Sequence, residues 1–151
     1  MPEPALDRAE RHEVAFQGGM MGGGMMGGGM MRGQRPDAYD MMEGIWSING
    51  VSATGHVMEP LLILRQGEPY VLALRNDTAW AHPIHLHGHS FRVIARNGTP
   101  TRSHEWQDTV FMAPRERVDI AFVADNPGGW MFHCHILEHL EAGMMGVIRV
   151  A

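Results

Sequence analysis

A chain of 151 residues with 44% apolar and 19% charged residues has the composition of one globular domain with a core of its own. A net charge of −5 without a basic run argues against a nucleic-acid partner, and no apolar stretch reaches the roughly 18 residues that cross a bilayer. One cysteine cannot form a disulfide within the chain, whereas 14 methionines and 10 histidines offer many ligands for soft or borderline transition metals.

The N-terminal part of the chain predicts a disordered segment, a first strand and a flexible loop. We expect disorder over residues 1–10 and a single domain over 11–151. RHEVAFQ alternates weakly, as a strand would. The Met/Gly-rich stretch at 18–36 repeats Met-Met-Gly-Gly-Gly with a period of five, which suits neither helix nor strand, so it is predicted to be a loop or linker. Its thioethers leave a second interpretation open, a loop that collects Cu(I).

The second part of the chain predicts short strands separated by turn signals. Asn-Gly pairs at 49–50 and 97–98 and the Asn-Pro-Gly-Gly sequence at 126–129 mark turns, and Asn76 is also interpreted as a turn residue. Only HILEHLEAG favours a helix, for a turn or two. A turn signal about every ten residues is typical of an all-β protein, and we predict a Greek-key β-sandwich.

The segment WMFHCHILEHLEAGMM, at 130–145, places the only cysteine between two histidines. Side chains along a strand point alternately to opposite faces. We therefore expect His133 and His135 on one face and Cys134 on the other. One short strand would then contribute to two different sites.

A second histidine-rich segment, AHPIHLHGHSF, occupies 81–91. By the same alternation, His85 and His87 share a face. His82 lies three residues before His85, beyond Pro83, and need not follow that pattern.

Residues of the two segments combine into two candidate metal sites. One set has a thiolate, two imidazoles and a thioether, the ligand chemistry of a blue-copper electron-transfer centre: Cys134, His82, His139 and Met144. The other set is entirely imidazole and fits part of a multi-metal site: His85, His87, His133 and His135.

Three other interpretations are open at this stage. Zinc accepts histidine and cysteine, but a thioether is a poor zinc ligand and six histidines exceed a four-ligand site. A nucleophilic Cys–His pair leaves the second histidine cluster unexplained. A structural role is the ordinary explanation for any single histidine, although less so for six in two tight clusters around the sole cysteine.

HPIHLHGHSF and HCHILEHLEAGMM together resemble the two copper-binding signatures of the C-terminal cupredoxin (plastocyanin-like) domain of multicopper oxidases, a family that contains laccases, bilirubin oxidases and bacterial cuprous oxidases. HEWQDTV and WSING are also similar to that domain, so the likeness covers about 11–151. The resemblance implies copper as cofactor, with type 1 ligands at His82, Cys134, His139 and Met144, a type 2 ligand at His85, and type 3 ligands at His87, His133 and His135.

The resemblance also implies a reaction. In such enzymes the type 1 centre accepts electrons from a small-molecule reductant, here a phenol, an aromatic amine or Cu(I). The electrons then pass through the residues matching Cys134, His133 and His135 to a type 2/type 3 copper cluster that reduces dioxygen to water. The full-length enzyme is expected to be periplasmic or extracellular, although the first residues, MPEPALDRAERHE, have no apolar core of the kind that a secretory signal contains.

The chain holds only half of the histidines that this cluster requires, four of eight. Its remaining histidines have no His-x-His spacing among themselves: His12, His56, His89 and His104. His89 is expected at the surface or beside the ligands. The resemblance therefore implies a missing N-terminal cupredoxin domain or another subunit, and an isolated chain that is inactive. The alternative is a single blue-copper protein for electron transfer or copper handling, without oxidase activity.

Overall fold

The structure, a computed structural model, describes residues 1–19, 46–53 and 59–151. The described elements, in chain order, are β1 Glu10–Gly18, β2 Trp46–Ile48, β3 Leu62–Leu64, β4 Pro69–Asn76, β5 His82–Leu86, β6 Phe91–Arg96, β7 Thr99–Pro100, β8 Trp106–Gln107, β9 Thr109–Met112, β10 Arg117–Val123, β11 Gly128–Cys134, α1 Leu137–Glu141 and β12 Met145–Val150. The predicted loop at 18–36 lies outside the described residues except for its first two, so its interpretation as a Cu(I)-collecting loop stays a prediction.

The described strands form two sheets. One has the order β2-β1-β4-β10-β6-β7, with β8 also paired to β6, and the other has the order β3-β12-β11-β5-β9. Both sheets are mixed, since β1 runs parallel to β4 and β12 parallel to β3 while the other pairs are antiparallel. The predicted all-β sandwich is confirmed.

The core lies between the two sheets. In β4 the alternating side chains of Leu72 and Leu74 are buried, and they join Phe16 of β1 and Phe132 of β11 in one cluster. The rings of Phe16 and Phe132 are 5.8 Å apart, so the two sheets meet directly. Burying each such side chain contributes roughly 1.5–3 kcal/mol relative to leaving it in water.

The two histidine-rich segments lie side by side in the second sheet. Strand β11 pairs with β5 in a register that sets His133 opposite His85 and Cys134 opposite Ile84. On its other side β5 pairs with β9, where His85 lies opposite Thr109. A chain separation of about fifty residues is closed by this pairing, and both candidate sites depend on it.

The predicted Asn-Gly turns and the helix are confirmed, whereas the turn predicted at 126–129 is shorter, because β11 already begins at Gly128. Both residues of the pairs at 49–50 and 97–98 have positive φ, as a two-residue hairpin turn requires. The helical prediction for HILEHLEAG corresponds to the short helix α1. Asn76 differs from its interpretation as a turn residue: it is the last residue of β4, and its side chain is fully buried.

The first residues of the chain contact the sandwich at two points. Glu3 forms an ion pair with Arg92, and Arg8 lies 3.6 Å from Glu68. The division into a disordered segment over 1–10 and a domain over 11–151 stays a prediction. Among the described residues, no helix has the length and apolarity that a membrane span demands.

Candidate metal centre

A cysteine and two histidines from three different elements meet inside the sandwich. His82 begins β5, Cys134 ends β11 and His139 lies in α1. The sulfur of Cys134 is 3.6 Å from Nδ1 of His82 and 3.5 Å from Nδ1 of His139, and the two nitrogens are 3.0 Å apart. The three ligand atoms lie within 4.8 Å of one another. We call these residues the buried cluster.

Burial keeps the metal-free buried cluster uncharged at neutral pH. It raises the pKa of the Cys134 thiol to about 11. It lowers the pKa of His82 to about 4, with a further contribution from the charge of His139, and it also lowers the pKa of His139. A metal ion therefore meets two neutral imidazoles and displaces one thiol proton. One soft sulfur and two imidazole nitrogens converging in a dry site fit copper or another soft or borderline transition metal.

Met144 is held next to Cys134 by the backbone. The amide of Cys134 donates to the carbonyl of Met144 at 3.1 Å, and the amide of Met144 donates to the carbonyl of His139 at 3.0 Å. The side chain of Met144 is fully buried. The carbonyl of Ala142 accepts from the amide of Trp46 at 3.1 Å, so the same short loop is also attached to β2.

An indole covers the buried cluster. The ring of Trp46 lies 4.3 Å from that of His139 and 5.0 Å from that of His82, and Trp80 packs edge-on against it at 5.4 Å. Because only 7% of Trp46 is exposed, this side of the cluster is shielded from water. Sequence reasoning missed the contact, since WSING carries no signal for where its tryptophan packs.

The four remaining candidate ligands lie together in a second group, the four-histidine face: His85, His87, His133 and His135. Nε2 of His87 is 2.9 Å from Nε2 of His133. The rings of His85 and His87 are 4.5 Å apart, and those of His133 and His135 stack at 5.7 Å. His135 is exposed, and a surface cleft of about 530 Å³ borders His85, so this group opens to the outside.

Backbone carbonyls orient two of these rings. Nδ1 of His133 lies 2.8 Å from the carbonyl of Cys134, and Nδ1 of His85 lies 2.9 Å from the carbonyl of Asp108. A carbonyl oxygen only accepts hydrogen bonds, so Nδ1 carries the proton in both rings. Nε2 is then unprotonated, and its lone pair can bind a metal ion. Burial lowers the pKa of His133, and also that of His87, to which the neighbouring histidines contribute.

Three histidines outside both groups belong to the described residues. His89 is buried against Phe122, with ring centroids 5.3 Å apart, so it is not a surface residue. His12 is 3.1 Å from Glu10, and His104 is exposed. His56 is outside the described residues.

A sandwich of two mixed sheets with a buried His–Cys–His cluster defines a cupredoxin-like domain. A family model described as "Multicopper oxidase" matches residues 30–151. The chain therefore belongs to the multicopper oxidase family.

Individual relatives agree with this assignment. The chain is similar to the multicopper oxidase MmcO of Mycobacterium tuberculosis, with 41% identity over 66% of this chain and 18% of that protein. It is 31% identical to the iron transport multicopper oxidase fio1 of Schizosaccharomyces pombe over 71% of this chain and 20% of that one. A copper resistance protein A homolog of Pseudomonas syringae is 40% identical over 70% of this chain and 17% of that protein.

Solved structures show the same fold. A multi-copper oxidase of Pseudomonas thermotolerans superposes with a TM-score of 0.79 at 29% identity, over 99% of this chain and 31% of that one. A multicopper oxidase of Campylobacter jejuni, described as a metallo-oxidase, superposes with a TM-score of 0.76 at 27% identity, over 99% of this chain and 31% of that one. The chain thus spans about a fifth of its curated relatives and about a third of these structures.

Proposed function

We propose that this chain is the C-terminal cupredoxin domain of a multicopper oxidase and that its buried cluster is a type 1 copper site. The residues that would hold the copper are His82, Cys134 and His139, with Met144 as a fourth, weaker ligand. The observation that carries the proposal is the approach of one sulfur and two Nδ1 atoms to within 4.8 Å of one another in a dry pocket. Bound copper would supply one-electron redox chemistry.

The chain's own residues prepare and connect this site. Trp46 and the surrounding core exclude water, which keeps water and other competing ligands away from the buried cluster. Cys134 lies between His133 and His135 in the chain, so the covalent backbone joins the buried cluster directly to the four-histidine face. We assign these three residues to electron transfer between the two groups.

The four-histidine face is proposed to hold half of an oxygen-reducing copper cluster. His85 is the type 2 ligand, and the type 3 ligands are His87, His133 and His135. Another cupredoxin domain or subunit supplies the missing histidines. Two observations support this: the group opens to the surface, and the matched part of the chain covers only about a fifth of each relative.

The reductant is proposed to be a phenol, an aromatic amine or Cu(I), and the acceptor dioxygen. Relatives whose names refer to copper resistance and to iron transport favour a metal ion among these. The full-length enzyme is proposed to act in the periplasm or outside the cell.

A second candidate is a single blue-copper protein that transfers electrons or handles copper without reducing oxygen. The observation in its favour is that the buried cluster takes all of its donors from this chain. Chain loaded with copper should show an intense thiolate-to-copper absorption band but no oxygen uptake with a phenol, while zinc-loaded chain gives neither. Oxygen uptake by the chain alone would contradict the incomplete cluster, and a colourless copper complex would contradict the type 1 site. Oxygen uptake restored by an added N-terminal domain would separate the oxidase from the second candidate.

A further inference from the structure

We propose that Asn76 and Thr78 are positioning residues for His82: they hold its ring as the tautomer protonated on Nε2, so that an unprotonated Nδ1 faces Cys134. This inference rests on the proposed type 1 function of the buried cluster. It adds a chain of hydrogen bonds that starts at His82, on the side of the ring away from Cys134, and ends at Asn76 in the other sheet.

The three side chains form a continuous buried line. Oγ1 of Thr78 lies 2.7 Å from Nε2 of His82 and 2.6 Å from Oδ1 of Asn76. Asn76, Thr78 and His82 each have 0% exposure, so no solvent competes for these contacts. Asn76 ends β4 in the first sheet and His82 begins β5 in the second, so the line joins the two sheets.

The amide of Asn76 has a defined orientation. Its Nδ2 donates to the carbonyl of Trp80 at 2.7 Å and to the carbonyl of Ala113 at 2.9 Å. Two carbonyls require a donor group, so the nitrogen faces them and Oδ1 faces Thr78. Oδ1 also accepts from the amide of Thr78 at 3.1 Å. The oxygen of Asn76 is therefore an acceptor only.

This orientation decides the direction of the bond to His82. The hydroxyl of Thr78 has one proton, and its acceptors besides the ring are Oδ1 of Asn76 at 2.6 Å and the carbonyl of Trp80 at 3.1 Å. A bond to either acceptor uses that proton. Two oxygens only 2.6 Å apart need a proton between them, and the Asn76 oxygen has none, so the hydroxyl of Thr78 donates to it. Oγ1 of Thr78 must then accept from His82, which places a proton on Nε2.

The consequence appears at the other side of the ring. A neutral imidazole with a proton on Nε2 has its lone pair on Nδ1, the atom 3.6 Å from the sulfur of Cys134. The four-histidine face has the reverse arrangement, since carbonyls there hold Nδ1–H of His85 and His133. A hydrogen bond to the outer nitrogen also strengthens the inner one as a donor, which stabilises an oxidised metal ion more than a reduced one.

The test begins with the metal-free chain. Long-range ¹H–¹⁵N NMR correlations distinguish the two tautomers of a neutral histidine, and we expect His82 to be the Nε2–H form. An Nδ1–H form would overturn the proposal. This measurement needs no copper, so its result is independent of whether the type 1 function holds.

Variants then test the role of the hydroxyl. Thr78→Val should give a mixture of tautomers, a 10–100-fold loss of copper affinity at the buried cluster and a raised reduction potential. Thr78→Ser, which keeps the hydroxyl, should have the tautomer, the copper affinity and the reduction potential of the unchanged chain. Thr101→Val, which also loses a threonine hydroxyl bond (2.7 Å to the carbonyl of Val93), is the matched control and should leave them unchanged.

A purely structural role gives a different pattern. Thr78→Val would then lower the melting temperature while tautomer, potential and affinity stayed as in the unchanged chain, and the proposal would be wrong. If Thr78→Val does not fold, Thr78→Ser and the tautomer of the unchanged chain still decide. An unchanged chain without a thiolate-to-copper band would count against the proposed type 1 function alone.

Discussion

The buried cluster and the four-histidine face use the same kinds of side chain in opposite ways. In the buried cluster His82 and Cys134 are fully enclosed, and the Nδ1 atoms point inward to the sulfur. In the four-histidine face His135 is exposed, and Nε2 atoms point to each other, as between His87 and His133 at 2.9 Å.

The difference shows what one domain can and cannot build by itself. A trigonal site needs three donors, and β5, β11 and α1 of this chain bring three to one point. The four-histidine face instead opens at the molecular surface, where we propose that another domain or subunit adds the remaining donors. Alternation along one strand is enough to give Cys134 to the first group and its neighbour His133 to the second.

The largest expected effect is from Cys134→Ser, which separates the two groups. It removes the only thiolate, so the blue absorption band should disappear completely, while copper bound by the four-histidine face should remain. Optical spectra and copper per chain measure both. His87→Ala is the matched opposite: it should keep the band and lose copper from the face. A copper content of zero in Cys134→Ser would show that the two groups are not independent.

A second effect is acid sensitivity of the metal-free fold through the buried cluster. The pKa of His82 is lowered from 6.5 to about 4 by burial and by the charge of His139. The unfolded chain takes up this proton as pH falls below 6.5, but the folded chain does so only near pH 4. The contribution of His82 to the free energy of unfolding is therefore fully present above pH 6.5 and declines by about 3 kcal/mol as the pH falls to 4. Urea titrations at each pH measure it.

In His82→Gln the loss of stability between pH 6.5 and 4 should be smaller by about 3 kcal/mol, and what remains comes from other histidines whose pKa is lowered, among them His87, His133 and His139. A variant that keeps the full acid loss would show that the loss arises from other groups.

A third prediction concerns the loop that carries Met144. Gly143 has φ +115°, and a Cβ there would collide with Ser52 and the carbonyl of Trp46. Gly143→Ala should therefore cost about 3 kcal/mol through strain and overpacking. The matched control is Gly50→Ala, where φ is +79° and no heavy atom lies within 4 Å, with a cost of about 1 kcal/mol. Equal costs in denaturant unfolding would contradict the close packing at Gly143.

The smallest expected effect is from Met144→Leu. The side chain is fully buried and leucine has a similar volume, so the fold should be kept. Only the weakest of the proposed ligands would be lost, so the blue colour should remain while the reduction potential rises. Spectroelectrochemistry measures it, with Met112→Leu, another fully buried methionine, as the control. An unchanged potential would mean that Met144 is not the ligand.

Much of the fold could be predicted because its signals are local. Asn-Gly pairs place both residues at positive φ, and alternation in β4 predicts which side chains enter the core. The strand order and the parallel pairs β1–β4 and β12–β3 are not local, since they join segments about sixty or more residues apart. Asn76 looked like a turn residue because one partner of its amide, the carbonyl of Ala113, lies 37 residues further along the chain.

The ligand set of the candidate site could be named from sequence because residue type and strand alternation act within a few positions. What surrounds the ligands could not. Trp46 contacts His139 although the two residues are far apart in the chain, and no repeating pattern in the sequence links them. Thr78 is close to His82 in sequence, but its hydrogen bond depends on the orientation of Asn76, which the carbonyl of Ala113 helps to determine.

The most direct measurement is anomalous X-ray diffraction at the copper edge from crystals of the copper-loaded chain. We predict one copper ion between Sγ of Cys134 and the Nδ1 atoms of His82 and His139, and separate copper only beside the four-histidine face. A single ion bound jointly by His133, Cys134 and His135 would contradict the account.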